Sequence, residues 1–246
     1  MSSNATTTPI LDVPISRFGF DEAIRTCRDR VTARLGGYVC FANVHSVTES
    51  LDDPELKRAL TDAFLALADG VPLVWASRLR GEPITSRVCG PDFMSEFLCR
   101  FPELRHAFVG GAVGIGKILA TRFSPGAMSY SPPMRPYSQK NSEDDWNELL
   151  RTAGLGRPPD VVWVGLGAPK QEYWMRTVSK LAPETLFFGV GAAFDFLAGT
   201  KRRAPRWMQK IGLEWFYRLA SEPRRLWKRY LKTNFKFVTR VLFTKS

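Results

Sequence analysis

Residues 161–172, Val-Val-Trp-Val-Gly-Leu-Gly-Ala-Pro-Lys-Gln-Glu, constrain this chain more than any other stretch. Four apolar residues read as a short buried strand, Gly165 and Gly167 as a tight turn, and Pro169 as the first position of a helix. A strand that passes through glycines into a helix start leaves backbone N–H groups at its crest. With the positive end of the helix dipole behind them, those groups suit a phosphate. Lys170 and Gln171 would add a charge and a side-chain donor. The competing reading is an ordinary βα turn, since Gly-x-Gly without a third glycine does not complete the dinucleotide fingerprint.

The same alternation runs along the whole chain. Residues 1–8 read as disordered, 10–15 as a strand, 21–35 as a helix stopped by Gly36-Gly37, and 38–42 as a buried strand. Pro54 opens a long helix in which Leu56, Leu60, Phe64 and Leu67 recur at helical spacing, ending in Ala68-Asp69-Gly70 before the short apolar run 71–75. A helix over 92–101, a strand over 106–109, a helix to Arg122, a Pro- and Ser-rich loop over 124–140 and a helix over 142–153 follow. After the opening motif come a helix to Leu181 and a strand over 185–190. This is an α/β pattern, Rossmann-like, with a mainly parallel sheet and flanking helices. In such a sheet the ligand lies beyond the carboxyl ends of the strands, where Asn43, His45, Asp69, Gly110-Gly111, Gly165–Gln171, Gly191 and Asp195 would arrive.

Charge separates the two ends of the chain. Residues 201–246 hold 14 Lys and Arg against Glu214 and Glu222, net +12, whereas residues 1–200 hold 21 basic and 22 acidic side chains. A neutral body over 9–200 with a basic C-terminal appendage over 201–246 points to a polyanionic partner for the appendage. If 224–242 is helical, Trp227, Leu231, Phe235, Val238 and Leu242 share one face, with Arg225, Arg229, Lys232, Lys236 and Arg240 roughly opposite. That pattern suits a helix lying in an anionic lipid interface, and equally a helix docked on the body with a solvated basic back. Nucleic-acid binding is not expected, because base-stacking platforms and motif spacings are missing. No signal peptide is expected, since nothing in the sequence resembles one, and no run approaches the ~20 apolar residues that span a bilayer. Cys27, Cys40, Cys89 and Cys99 form no CxxC pair, which favours reduced thiols and a cytoplasmic setting.

Nothing suggests a nucleophile triad, and neither HExxH nor DxD is present, so no metal or other cofactor is expected. Asp69 reads either as a turn residue ahead of Gly70 or as a general base at the ligand edge. Asp195 reads as helix cap or catalyst, His45 as a hydrogen-bonded loop residue or a base, Asn43 as a cap, and Arg87 as a solvated arginine or a phosphate partner.

Taken together, Asn43, Ala-Asp-Gly-Val-Pro at 68–72, Arg-Val-Cys-Gly at 87–90, Phe-Val-Gly-Gly at 108–111, Gly-Leu-Gly-Ala-Pro-Lys-Gln-Glu at 165–172, Gly-Val-Gly-Ala-Ala-Phe-Asp-Phe at 189–196, and Arg203-Ala-Pro-Arg-Trp through Gly212-Leu-Glu-Trp-Phe-Tyr-Arg-Leu-Ala-Ser-Glu-Pro-Arg-Arg occur in order. This closely resembles the WecG/TagA/CpsF family of bacterial glycosyltransferases over about residues 10–230. The resemblance implies metal-independent, inverting transfer of a sugar from a UDP-sugar to a polyprenyl-diphosphate-linked acceptor in surface polysaccharide synthesis. Asp69 matches the favoured general base, while Asn43, Arg87, Gly165, Gly167, Gln171, Gly191 and Asp195 match or adjoin the donor pocket. His45, Arg218, Arg225 and Lys228 match positions at the diphosphate or acceptor. Members often carry Thr where this sequence has Phe41, and Phe-Ala-Asn-Val-His resembles the exopolysaccharide branch. N-acetylmannosamine, its uronate, glucuronate and a hexose are therefore all candidate donors. The implied setting is the inner face of the plasma membrane, bound peripherally, with a homo-oligomer compatible. The alternative is a non-catalytic nucleotide-sugar-binding component of a polysaccharide assembly complex.

Overall fold

The computed structural model describes residues 6–153, 157–210, 212–221 and 223–243. The chain starts not with one strand but with a hairpin, β1 (Thr7–Ile10) and β2 (Val13–Ser16), closed by Leu11 and Asp12 at positive φ. Thr7 and Thr8 therefore belong to a strand, so order begins before residue 9. Helix α1 (Phe20–Thr32) precedes β3 (Gly37–Ala42), after which α2 (Val44–Glu49) and α3 (Pro54–Thr61) follow.

At this point the helical spacing misleads. The helix from Pro54 ends at Thr61, Leu65–Ala68 is strand β4, and Val71–Leu79 is helix α4. Leu65-Ala66-Leu67-Ala68 pairs residue by residue with Val39–Ala42 of β3 and is buried throughout. A four-residue apolar run of this kind is compatible with either period, and the open edge of β3 decides it. Pro72 in the first turn and Gly70 at the N-cap suit the helix start that follows. Asp69 consequently ends a strand rather than a helix.

The rest follows the expected alternation: α5 (Gly90–Arg100), β5 (His106–Gly110), α6 (Ile115–Phe123), β6 (Met128–Tyr130), α7 (Gln139–Ala153), β7 (Val161–Gly165), α8 (Lys170–Val178), β8 (Leu186–Gly189) and α9 (Ala193–Ala198). Strand β6 lies within the stretch expected to be loop. It pairs only with β5, at the sheet edge. The short helices α10 (Arg206–Lys210) and α11 (Glu214–Ser221) lead into α12 (Pro223–Phe243). The six long-sheet strands run in the order β4-β3-β8-β7-β5-β6, every pair parallel.

Strand alternation sends Phe187 and Phe188 into the two separate cores on either face of the sheet. Phe188 stacks on Trp163 at a centroid distance of 4.7 Å, and Phe97 meets both rings edge-on or tilted. On the opposite face Phe187 is flanked by Trp146 and Trp174. Each such side chain contributes about 1.5–3 kcal/mol by burial. Helix α12 packs on α2 through Thr233 and Phe237, with Lys236 bonded to Asp52 at 2.7 Å. Phe235, Val238 and Leu242 stay exposed, so the docked face differs from the apolar stripe. Among the described residues no helix is long and apolar enough to cross a membrane.

Helix α8 turns Gln171, Glu172, Trp174 and Met175 inward. Glu172 is 2% exposed, and burial pushes its carboxyl up to about 7, aided by Glu49 nearby. In the unfolded chain the same carboxyl ionises near 4.5. The folded state therefore holds this proton more tightly, and stability is lost as pH rises from 4.5 through about 7. Glu172→Gln is expected to gain on the order of 3 kcal/mol relative to wild type above that window, compared with below it. Urea unfolding at pH 4.5 and pH 8 checks this, and a gap between variant and wild type that does not change with pH would refute it.

Candidate functional site

A parallel sheet brings every strand's carboxyl end to one edge, and the expected residues meet there. Across the edge lie Asp69 after β4, Asn43 after β3, Gly191 after β8, Gly165–Gly167 at the end of β7 and Gly110-Gly111 at the end of β5. The ladder bonds continue into these loops. The Asp69 N–H donates to the Ala42 carbonyl at 2.8 Å, that of Gly191 to Val164 at 3.2 Å, and that of Gly111 to Gly165 at 3.0 Å.

The glycines at this edge serve two purposes. A Cβ on Gly165 would stand 2.8 Å from the Phe194 ring, so Gly165 is needed for close packing of α9 on the sheet. Gly167, at φ +76° with open space around it, is needed for its backbone conformation and leaves the crest accessible. The Ala168–Pro169 peptide is cis, and Pro169 caps α8 instead of entering it, with Lys170 as the first helical residue. The Lys170 ammonium donates to the Arg135 carbonyl at 3.0 Å.

Gln171 is buried. Its Nε2 donates to the Gly189 carbonyl and to Glu172 Oε1, both at 3.0 Å, which turns Oε1 toward Gly191. Glu172 is thus a buried support for Gln171 behind the crest, a place the sequence reading missed. The only signal for it was its place in the helical phase, one residue beyond Gln171. Asn43 is the N-cap of α2 in a capping box: its Oδ1 accepts from the Ser46 N–H at 3.2 Å, and Ser46 Oγ accepts in return at 2.9 Å. His45 Nε2 lies 3.1 Å from Glu49, one helical turn on. Asp195 faces the end of its own helix, accepting from Thr200 Oγ1 at 3.3 Å and pairing with Lys201 at 3.4 Å.

Arg87 is not a freely solvated arginine: its side chain is 19% exposed and engaged by protein partners. Its Nε donates to the Asp69 carbonyl at 3.1 Å, Nη1 to the Gln209 carbonyl at 3.0 Å, and Nη2 to Glu214 at 2.6 Å and to Cys89 Sγ at 3.0 Å. Asp69 Oδ1 stands 3.8 Å from the same nitrogen. Arg203 closes the cluster from the other side, reaching Glu214 at 3.4 Å, Cys89 Sγ at 3.1 Å and both oxygens of Asp92. Burial opposes the charge on Arg87, but the Asp69 and Glu214 carboxylates outweigh it and raise its pKa above the ordinary arginine value. Burial likewise pushes the Cys89 thiol well up, which keeps it neutral. Arg218, Arg225 and Lys228 sit on α11 and α12, and their side chains lie outside the described residues.

The edge therefore combines a carboxylate at Asp69, an open glycine crest and a cationic C-terminal segment. Among the described residues no group of three His, Cys, Asp or Glu side chains could hold a metal ion. The glycosyl transferase WecG/TagA/CpsF family matches the chain over residues 8–246. An N-acetylglucosaminyldiphosphoundecaprenol N-acetyl-beta-D-mannosaminyltransferase of Bacillus spizizenii is 31% identical over 212 residues, which is 84% of this chain and 79% of the relative. A protein of the same name from Bacillus subtilis is 29% identical over 203 residues, 82% of this chain and 77% of the relative. With the motifs spread over a single sheet edge and the match running nearly end to end, this chain belongs to the WecG/TagA/CpsF family of glycosyltransferases.

Proposed function

We propose that this protein moves a sugar, with inversion, from a UDP-sugar to a polyprenyl-diphosphate-linked saccharide in surface polysaccharide synthesis, with Asp69 as the general base. The observation that carries the base assignment is the place of Asp69 at the end of β4, on the ligand edge of the sheet and beside the strand that ends in Asn43. Its carboxylate takes the proton of the acceptor hydroxyl. The acceptor oxygen attacks the anomeric carbon from the face opposite UDP, and the bond to UDP breaks with its electron pair. The open crest at Gly167, together with Arg218, Arg225 and Lys228, offsets the charge of the leaving diphosphate. Gln171, with Oε1 turned toward Gly191, contacts the donor.

The donor is UDP-linked N-acetylmannosamine, its uronate, glucuronate or a hexose, and Phe41 and His45 favour the exopolysaccharide branch. The Bacillus relatives are named as N-acetyl-beta-D-mannosaminyltransferases, which supports the first of these. The exposed stripe of Phe235, Val238 and Leu242 rests in the headgroup region of an anionic membrane, and basic residues of the C-terminal segment add about 1 kcal/mol each near that surface. The protein then works peripherally, at the inner face of the plasma membrane.

Asp69→Asn is expected to keep the fold and UDP affinity while kcat falls ~10²–10⁴-fold. Transfer assays alongside UDP calorimetry check this, and near wild-type turnover would dismiss the assignment. Full activity should persist in EDTA; loss of turnover that Mg²⁺ or Mn²⁺ restores would contradict it. Replacing Phe235, Val238 and Leu242 together by Ser should abolish sedimentation with anionic liposomes and leave the Phe237 dock intact. Unchanged sedimentation would remove the stripe from the membrane contact.

A further inference from the structure

We infer that Glu214 is a positioning residue for Asp69: by binding Arg87 it holds that guanidinium away from the base. The inference rests on the general-base reading of Asp69. Glu214 comes from the start of α11, some 145 residues further along the chain, yet it is the charged group nearest to Arg87. Arg87 Nη2 lies 2.6 Å from Glu214 Oε2 and 3.8 Å from Asp69 Oδ1, so one nitrogen serves two carboxylates unequally. The Glu214 side chain is 10% exposed and that of Arg87 19%, a setting in which a charge is costly without a partner.

The groups that face this nitrogen are Asp69 at the end of β4, Cys89 at the start of α5, and Glu214, with Arg203 and Asp92 behind them. Cys89 is neutral, because burial raises its thiol far above the working range. Two carboxylates therefore balance Arg87 among the described residues that face it. If Glu214 is neutralised, Asp69 becomes the partner of the guanidinium. A carboxylate paired with Arg is a weaker base, and general-base rates fall with basicity. The C-terminal segment would thus influence the chemistry through one ion pair, apart from any role in reaching the lipid.

The test is Glu214→Gln in the full-length protein, assayed with donor and lipid-linked acceptor across pH. Gln keeps the size and the hydrogen-bond acceptor while removing the charge. The expected result is a folded protein, a kcat reduced by about tenfold, and an acid limb of kcat/KM displaced to lower pH. Asp92→Asn is the control. It loosens the same cluster by taking a partner from Arg203 but leaves the Arg87–Glu214 bond, so its acid limb should stay where it is in wild type.

Wild-type kcat and pH profile in Glu214→Gln, or an equal displacement in Asp92→Asn, would overturn the inference. Should Glu214→Gln not fold, Glu214→Asp takes its place. Its carboxylate withdraws by one methylene, and a smaller displacement in the same direction is expected; an unmoved limb would count against the proposal. An inactive Asp69→Asn beside an unaffected Glu214→Gln rejects this inference alone, whereas an active Asp69→Asn rejects the base itself.

Discussion

Parallel pairing is the constraint on which the rest of the structure depends. Strands β4, β3, β8, β7, β5 and β6 all run the same way, so each must be followed by a crossover, and every crossover begins at one edge. That geometry gathers Asp69, Asn43, Gly191, Gly167 and Gly111 from positions scattered over more than 140 residues. The sheet can bear this because both of its faces are covered. Trp163 and Phe188 stack on one side while Phe187 packs between Trp146 and Trp174 on the other. With no exposed face on the central strands, β7 and β8 have little freedom to shift register, and their glycine crests are held in place.

The C-terminal segment is attached to this body by two unlike contacts. Helix α12 is held by an apolar dock, Phe237 with Thr233, and by the Lys236–Asp52 ion pair. Upstream, Glu214 and the Gln209 carbonyl are held by Arg87, and Arg203 binds Asp92 and Glu214. These contacts leave Phe235, Val238 and Leu242 facing outward while the loop that carries Asp69 is tied to the same segment. Two readings of α12, docked helix and amphipathic lipid-facing helix, looked mutually exclusive in the sequence. In the fold the docked face and the exposed apolar stripe are different faces of one helix, so docking leaves the stripe open to the proposed lipid contact.

Most strands and helices were legible because their signals are local: Val161–Val164 before two glycines, or Gly36-Gly37 closing α1. The stretch from Pro54 to Trp75 was not. Leu56, Leu60, Phe64 and Leu67 keep helical spacing across a real helix, a turn at Asp62 and a real strand, and only the vacant edge of β3 separates them. Asp69 accordingly follows a strand and not a helix. Buried Glu172 and the two-sided role of Glu214 escaped for a related reason. A carboxylate inside a core has no sequence signature; its character comes in part from groups remote in the chain, Glu49 beside Glu172 and Arg87 beside Glu214.

By itself the sequence determined the fold class, the family and the list of residues arriving at one sheet edge, because periodicity, glycine placement and motif order are properties of adjacent residues. The tertiary structure alone decided what those residues do to one another. It engaged Arg87 with both Asp69 and Glu214, and set Gln171 against the Gly189 carbonyl. Such roles depend on close contacts between groups remote in the chain, and burial sets their strength. The crest at 165–172 shows both halves of this division: its turn could be read from two glycines and a proline, whereas the buried carboxylate behind it could not.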